Sequence, residues 1–244
     1  GAGRSRHTLT RLGATKVLVA GGIGANGAAL SSTAVFSFAA GNPQGGAFNE
    51  ATPAMTVPRS FPSATVLADG GVLLAGGASG ATCQNSAQVF RDEGANGYSI
   101  TSKDNLPGRV YQHAAVRLDD GRVFFAGGHN CANGVANAWI FNPNAAPNSQ
   151  WTSAGASSQA RWAASVHLVE GRPVLIGGRT NAAGLRLVET YDPPSNSWFI
   201  HPSLSVPRFY HNSVYLPQLG HILVAGGVSS VVAPANVAVN STEL

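Results

Sequence analysis

One short stretch recurs five times along the chain, and this repeat limits the folds that the sequence can adopt. Each copy contains an arginine, an apolar run, a turn and a second apolar run that ends in a pair of glycines. The clearest copy is GRVYQHAAVRLDDGRVFFAGG, which begins at Gly108. The first glycines of successive pairs, Gly21, Gly76, Gly127, Gly177 and Gly226, are 55, 51, 50 and 49 residues apart. This spacing predicts five repeats of about 50 residues.

Each repeat begins with a predicted β-hairpin. In the third repeat, two runs rich in β-branched and aromatic residues are joined across Asp120-Gly121, where the glycine tolerates the positive φ of a tight turn. In the first four repeats, two further short strands with aromatic residues follow the glycine pair, as at Phe141 and then Trp151. The pattern predicts four strands per repeat, with the aromatic residues packed between neighbouring repeats.

A period of about 50 residues with four short strands per unit resembles the kelch repeat. The resemblance covers the whole chain and implies an all-β fold, a kelch-type β-propeller with five recognisable four-stranded blades. We expect one domain over residues 1–244, with blades at approximately 4–54, 55–105, 106–156, 157–204 and 205–244. The last blade is expected to lack its outer strand, because Asn240 to Leu244 align with the third strand of the other repeats and are the last residues of the sequence. Either the chain is part of a longer protein, which we favour, or the last blade has an unpaired edge.

The composition restricts the partners and the compartment. Charged residues are 11% of the chain, and the net charge of +4 comes from arginines that are spread over the repeats. This distribution argues against nucleic acid as a partner, because nucleic-acid-binding proteins cluster their basic residues. No run is long enough to span a membrane, and no signal peptide is visible at Gly1. The scarcity of lysine and glutamate and the abundance of Asn, Ser, Thr and Gly favour a secreted or periplasmic protein of bacterial type.

The chain contains two cysteines, Cys83 and Cys131. Two are too few for a disulfide framework, and neither has enough ligands nearby for zinc. They lie in equivalent loops of adjacent repeats, so that a disulfide is possible in an oxidising compartment. The sequence leaves their redox state open.

One face of the predicted propeller concentrates basic side chains. The loop that leads into each inner strand and the loop that follows each glycine pair emerge on the same side, because the strands alternate in direction. An arginine precedes each inner strand, at Arg4, Arg59, Arg109, Arg161 and Arg208, and the loops after the glycine pairs add His129, Asn130 and Arg179. Guanidinium groups bind carboxylates, sulfates and phosphates through a planar fork of donors. These eight residues are our predicted ligand-binding set, with the alternative that the arginines hold the loops by bonding backbone carbonyls.

The function predicted from this face is that of a non-catalytic binding module without a cofactor. In kelch domains that bind acidic peptides, arginines at the matching loop position contact the ligand. The resemblance therefore implies an acidic peptide, an anionic glycan or a protein partner as the ligand here. The alternative from another class is a structural scaffold with no small ligand. The sequence does not predict the oligomeric state.

A second, local resemblance suggests an enzyme. Arg109-Val110-Tyr111-Gln112 and Arg208-Phe209-Tyr210-His211 resemble segments of the galactose oxidase and glyoxal oxidase family that supply copper ligands. The resemblance implies copper bound by Tyr111, Tyr210 and His211, with Tyr111 as the radical tyrosine. Phe61-Pro62 stands where that family has its cross-linking cysteine, and the family's remaining histidine comes from a further domain. The chain would then be a degenerate or truncated copper radical oxidase, and our prediction leans towards a protein that is not an enzyme.

Overall fold

The computed structural model describes residues 3–39, 42–49, 52–229 and 237–243. The regular structure of these residues is β-strand, apart from a 3₁₀ turn at Gly94–Asn96. The chain divides into two compact units, of which the first comprises residues 1–111 and 143–151 and the second residues 112–142 and 152–244. None of the described helical structure is long and apolar enough to cross a membrane. The single domain predicted for residues 1–244 stays a prediction.

The first unit contains two antiparallel sheets of four strands. Its strands are β1 (Arg4–Ser5), β2 (Thr8–Leu12), β3 (Lys16–Ala20), β4 (Ile23–Gly24), β5 (Thr33–Ala39), β6 (Asn42–Asn49), β7 (Ser63–Val66), β8 (Val72–Ala75), β9 (Ala78–Ser79), β10 (Thr82–Cys83), β11 (Ala87–Asp92) and β12 (Tyr98–Lys103). The first sheet has the order β2-β3-β5-β6 and the second β7-β8-β11-β12, so that each strand pairs with the next long strand. The short pairs β1-β4 and β9-β10 lie at the loops.

The second unit contains the remaining three sheets. Its strands are β13 (Ala114–Arg117), β14 (Val123–Ala126), β15 (Asn137–Phe141), β16 (Trp151–Ala156, whose first residue belongs to the first unit), β17 (Ser165–Val169), β18 (Arg172–Ile176), β19 (Val188–Asp192), β20 (Ser197–His201), β21 (Asn212–Leu216), β22 (His221–Ala225) and β23 (Thr242–Glu243). The third sheet is β13-β14-β15-β16, the fourth is β17-β18-β19-β20 and the fifth is β21-β22-β23. The fifth sheet has three strands among the described residues, as the sequence predicts.

Aromatic side chains fill the space between sheets of the same unit. In the second unit, the ring of Phe124 lies 5.1 Å from that of Tyr191 and 5.8 Å from that of Trp198, measured between centroids. In the first unit, Phe90 stacks on Tyr98 at 5.5 Å, and both pack in a core with Leu18 and Leu74 of the neighbouring strands. The predicted packing of aromatic residues between repeats is therefore confirmed.

The glycine pairs join each sheet to the next within a unit. Gly177 and Gly178 both have positive φ, and the Gly178 amide donates to the carbonyl of Arg208 at 2.9 Å. A Cβ atom on Gly177 would lie 2.5 Å from the same carbonyl oxygen, whereas one on Gly178 would meet the carbonyl of Trp162 at 3.0 Å. The first glycine is thus the one that the next sheet approaches. The same contact recurs between Gly21 and Arg59 and between Gly127 and Arg161.

We predict that Gly177→Ala destabilises the protein by about 2–4 kcal/mol, because the methyl group meets the Arg208 backbone and the residue keeps a positive φ. Gly220→Ala is the matched control, since Gly220 has a similar φ of 66° and a methyl group there would have no heavy atom within 4 Å. It should cost about 1 kcal/mol from backbone conformation alone. Urea denaturation measures both, and equal losses would contradict the close approach of the two sheets.

Two histidine–serine hydrogen bonds connect the innermost strands of the fourth and fifth sheets. Ser165 Oγ lies 2.8 Å from His211 Nε2, and His167 Nε2 lies 2.7 Å from Ser213 Oγ. Burial, together with the positive charge of Arg208, lowers the pKa of His211 to about 4. Burial also lowers the pKa of His167. The folded protein therefore holds the His211 imidazole neutral in mildly acidic solution.

We predict that acid weakens the fold through His211. Its folded pKa lies below the unfolded value, so that the unfolded chain binds more protons and stability falls as pH decreases from about 6.5 towards 4. Between pH 7 and pH 4.5 the loss from this group is about 2–3 kcal/mol. His211→Asn should flatten the pH dependence of the unfolding free energy. An unaltered slope in His211→Asn would show that this imidazole is not the responsible group.

Candidate functional site

The loops that lead into the five innermost strands share a strained backbone turn. In each, one residue other than glycine has a positive φ of 50–57°, at Arg6, Phe61, Gln112, Ala163 and Tyr210. Such a conformation costs about 1–3 kcal/mol for a residue with a side chain and is concentrated at functional sites. Backbone hydrogen bonds between adjacent turns hold this conformation. The Phe61 amide donates to the Arg6 carbonyl in the first unit, and the Tyr210 amide donates to the Ala163 carbonyl in the second.

The arginines predicted to bind ligand are largely structural. The side chains of Arg59, Arg161 and Arg208 have no exposed surface. Arg59 Nη1 donates to the carbonyls of Gly76 at 2.8 Å and Ser86 at 2.9 Å, and its Nη2 donates to the Ser86 hydroxyl at 2.7 Å. The structure therefore corrects the predicted ligand role of these three residues. They clamp the end of the second strand to the loop before the third, which is the alternative that we considered.

The clamp has a charged partner in two sheets of the second unit. Arg161 forms a fully buried ion pair with Glu189, and Arg208 forms an ion pair with Glu243 at 2.7 Å. In the second sheet Gln88 stands at the equivalent strand position, and desolvation lowers the pKa of Arg59 to about 10. Desolvation lowers the pKa of Arg161 to about 10 as well, so that the guanidinium groups of Arg59 and Arg161 stay charged at neutral pH although they are buried.

The other two predicted arginines differ from these three. Arg4 is half-buried and makes the same clamp, with bonds to the carbonyls of Gly21 at 3.1 Å and Ser32 at 3.2 Å. Arg109 is exposed and donates to the carbonyl of Cys83 at 3.1 Å. Val110 occupies the clamp position of that sheet, because Arg109 precedes the first strand residue, Ala114, by five positions instead of four. Of the five predicted arginines, Arg109 is therefore the one that is exposed to solvent and does not form the clamp of its own blade.

A cluster of polar and aromatic side chains does form on the second unit. It consists of Gln112, His129, Asn130, Arg179, Asn181 and Tyr210, which we call the loop face, over the rings of Trp162 and Phe209. The Arg179 guanidinium carbon lies 5.0 Å from the centroid of the Trp162 ring and 4.9 Å from that of Phe209. The His129 ring meets Trp162 edge-on at 4.6 Å. Arg179, His129 and Asn130 of the predicted set are thus brought together.

Arg179 carries the charge of the loop face. Among the described residues, the Arg179 side chain makes one hydrogen bond, from Nε to the Thr180 carbonyl at 3.2 Å, and no described carboxylate forms an ion pair with it. Its two Nη groups are therefore available, and the contacts with two aromatic rings hold the guanidinium in place. Burial, and then the charge of Arg179, lowers the pKa of His129. The loop face accordingly presents one uncompensated positive charge at neutral pH.

Tyr210 and Asn130 supply the remaining contacts of the loop face. The Tyr210 side chain is 51% exposed, and its hydroxyl accepts a hydrogen bond from Gln112 Nε2 at 2.8 Å. Asn130 Oδ1 accepts the backbone amides of Ala132 and Asn133, which orders the loop after the third glycine pair. The sequence prediction missed Gln112, Trp162 and Phe209. The sequence did contain a signal for two of them, because Trp162 and Phe209 each stand directly after one of the repeated arginines.

The first unit has a smaller cluster at the equivalent loops. The guanidinium carbon of Arg6 lies 5.1 Å above the ring of Phe61, and the Phe61 and Tyr111 ring centroids are 6.2 Å apart. Arg6 thus contacts one aromatic ring in this cluster, whereas Arg179 contacts two in the loop face.

The residues of the copper hypothesis are engaged elsewhere. The Tyr210 hydroxyl bonds Gln112 on the exposed loop face, whereas His211 is buried and bonds Ser165. Among the described residues, no group of three or more His, Cys, Asp or Glu side chains is placed to hold a metal ion. These partners do not fit a shared copper shell, and the copper hypothesis stays a prediction without a supporting observation.

The redox state that the sequence left open is decided by the structure. Cys83 and Cys131 are both disulfide-bonded. Neither is therefore a nucleophile or a metal ligand.

The chain is similar to known kelch proteins over about half of its length. It is 32% identical to Kelch-like protein 33 of Homo sapiens over 124 residues, which are 50% of this chain and 22% of that protein. It is 29% identical to Kelch-like protein 36 of Mus musculus over 135 residues, which are 53% of this chain and 21% of that protein. The chain thus covers about a fifth of these relatives. No protein-family model matches it.

The fold is also that of a solved structure. The protein described as "Structure of YjhT" matches with a TM-score of 0.76 over 99% of this chain and 81% of that one, at 13% sequence identity. These relatives and the order of strands in the sheets agree with the fold that the repeat predicts. The chain is an all-β, five-bladed propeller of the kelch type.

Proposed function

We propose that this propeller is a non-catalytic protein-interaction module and that its loop face binds an acidic segment of a partner protein. The observation that carries the proposal is the Arg179 guanidinium, held between Trp162 and Phe209 with both Nη groups free of described partners. A guanidinium that two aromatic rings already hold in place loses little conformational entropy when a carboxylate binds to its fork of donors. An acidic side chain or a chain-terminal carboxylate matches this geometry.

The neighbours of Arg179 suit a peptide better than an isolated anion. Tyr210 offers an exposed ring beside the charge, and the side chains of Asn130 and Asn181 are exposed in the adjoining loops. Tyrosine, tryptophan and arginine are the residues that most often dominate the energy of protein interfaces, and asparagine amides bond readily to peptide groups. The similarity to kelch-like proteins supports the same proposal at the level of the module. An anionic glycan and a purely structural role remain the alternatives that the binding experiment separates.

We also propose that the protein works in an oxidising compartment, secreted or periplasmic. The disulfide-bonded state of Cys83 and Cys131 supports this, because such bonds persist outside reducing compartments. The low lysine content of the chain is consistent with the same location.

We predict that Arg179→Ala weakens the binding of acidic peptides at least tenfold, because each charge-assisted hydrogen bond contributes about 1.5–3 kcal/mol. Isothermal titration with a panel of glutamate-rich peptides and with heparin, at about 50 mM and about 500 mM NaCl, measures the loss and its salt dependence. Arg186→Ala is the matched control, since it removes an exposed arginine outside the loop face. Equal losses in both variants would mean that net charge alone attracts these probes, and tighter binding of heparin would favour a glycan ligand.

We predict that substitution of a buried clamp arginine lowers the stability of the fold. Arg59→Ala should lower the free energy of unfolding by about 3 kcal/mol or more, because it leaves two buried carbonyls and a hydroxyl without their donor. Arg109→Ala, which removes an exposed side chain with one bond to the Cys83 carbonyl, should cost less than about 1 kcal/mol. Thermal and urea denaturation measure both. If Arg59→Ala folded as stably as Arg109→Ala, the buried arginine would not be a structural clamp.

A further inference from the structure

Two side chains of the loop face contact the same aromatic ring, and one of them can change its charge. The Arg179 guanidinium carbon lies 5.0 Å from the centroid of the Trp162 ring, and the His129 ring meets that indole edge-on at 4.6 Å. They occupy the first position after the fourth and the third glycine pair, respectively. Arginine is a permanent cation, whereas an imidazole becomes a cation by taking up one proton. The loop face therefore combines a fixed charge with a titratable group.

The surroundings of His129 define its state before a ligand binds. Its Nδ1 accepts the Cys131 backbone amide at 3.1 Å, so that the proton of the neutral ring is on Nε2. Burial, and then the charge of Arg179, lower the pKa of His129, while a side-chain hydrogen bond with Asn181 raises it. Among these neighbours Arg179 is the charged one, since the Trp162 ring, the Asn181 amide and the Cys131 amide are neutral. The imidazole of the unliganded protein is therefore neutral at pH 7.

A carboxylate on Arg179 changes this balance. Its negative charge offsets the effect of the guanidinium on His129, and a second carboxylate beside the ring favours the imidazolium directly. Both side chains are half-buried, so that solvent screens these interactions incompletely. The imidazolium has a donor on each nitrogen and can form a charge-assisted hydrogen bond with that second carboxylate.

Protonation of the ring has a small structural cost. Nδ1 can no longer accept the Cys131 amide once it carries a proton. Cys131 is exposed, so that water can replace the imidazole as the acceptor of this amide. The loop keeps its other contacts, because Asn130 Oδ1 still accepts the amides of Ala132 and Asn133.

We propose that the loop face recognises two neighbouring carboxylates, one bound to Arg179 and one to His129, and that His129 takes up a proton from the solvent when the second carboxylate binds. This inference rests on the proposed function, because it specifies which acidic segment the loop face binds. A segment with two adjacent glutamate or aspartate residues engages both groups. A segment with a single acid engages Arg179 alone.

The proton uptake gives the affinity a pH dependence of defined sign. The pKa of His129 lies below its ordinary value of 6.5 in the unliganded protein and is raised in the complex. In the pH window between these two pKa values the complex holds more protons than the separate partners, so that a paired acid binds more tightly as the pH falls. From about pH 7.5 to about pH 5.5 we expect its affinity to rise about fivefold or more. Glutamates of the ligand stay ionised over this range, because their ordinary pKa is about 4.3.

Two blocked peptides test the proposal by isothermal titration of the full chain. One has the sequence Gly-Ser-Glu-Glu-Ser-Gly, and the other has glutamine in place of the second glutamate. Titrations at about pH 6.5, in two buffers with different enthalpies of ionisation, give the number of protons taken up on binding. We expect substantial uptake, up to one proton per complex, for the first peptide and little for the second. The first peptide should also bind more tightly at the lower pH.

A substitution assigns the proton. His129→Asn keeps an oxygen that can accept the Cys131 amide but cannot titrate, so that it should abolish the uptake and flatten the pH dependence. His201→Asn is the matched control, because it removes an exposed histidine of β20 outside the loop face. Circular dichroism checks that both variants are folded. If His129→Asn is not folded, the ¹⁵N shifts of the His129 imidazole in the unaltered chain should move to imidazolium values with the first peptide alone.

The outcomes distinguish this inference from the function on which it rests. Binding of the two peptides with equal affinity, binding without proton uptake, or uptake that persists in folded His129→Asn would overturn the role of His129 and leave the proposed function standing. Unchanged ¹⁵N shifts on saturation with the first peptide would do the same. If neither peptide bound at any pH, the proposed function would fail, and the inference with it.

Discussion

The architecture depends on a buried guanidinium that bonds backbone carbonyls. A propeller blade brings the end of its second strand, the loop before its third strand and the entrance of its first strand to one place, and the carbonyls there cannot all be paired within the sheet. Arg59, Arg161 and Arg208 supply the missing donors without any exposed surface. The glycine pair completes the arrangement, because the carbonyl of the next arginine accepts the amide of the second glycine and no Cβ intervenes at the first. Burying a charge in this way is tolerable because every clamp finds several acceptors.

This clamp also places the residues that are free to bind. Two residues follow each clamp arginine in the loop: the next residue, and then the residue with the strained backbone. Their side chains take no part in the clamp, so that they are free to make other contacts. In the second unit these positions carry Trp162, Phe209 and Tyr210, and the loop after the fourth glycine pair lays Arg179 between the first two. A rigid structural arginine and an available one thus lie in loops that contact each other. Their roles differ because only one of them reaches the carbonyls at the strand ends.

Much of the fold was determined by the sequence alone. Glycine pairs at a period of about 50 residues, an Asp-Gly hairpin and regularly placed aromatic residues depend on local backbone conformation and on short-range pairing, which a linear sequence records directly. The candidate site was predicted only in part. Arg59 and Arg179 are the same residue type in loops predicted to emerge on one face, and nothing in the local sequence says which of them is buried.

Only the tertiary structure decided the roles of these arginines, because the carbonyls that satisfy Arg59 come from residues 17 and 27 positions away. The displacement of Arg109 by one residue can be counted in the sequence, since Arg109 precedes Leu118 by nine positions and Arg59 precedes Leu67 by eight, but its consequence cannot be read there. Its distance from the start of the strand matters, and that start is set by pairing with the next strand. The position of Arg179 against the ring of Phe209, which belongs to the next repeat, likewise depends on a contact that no single repeat contains.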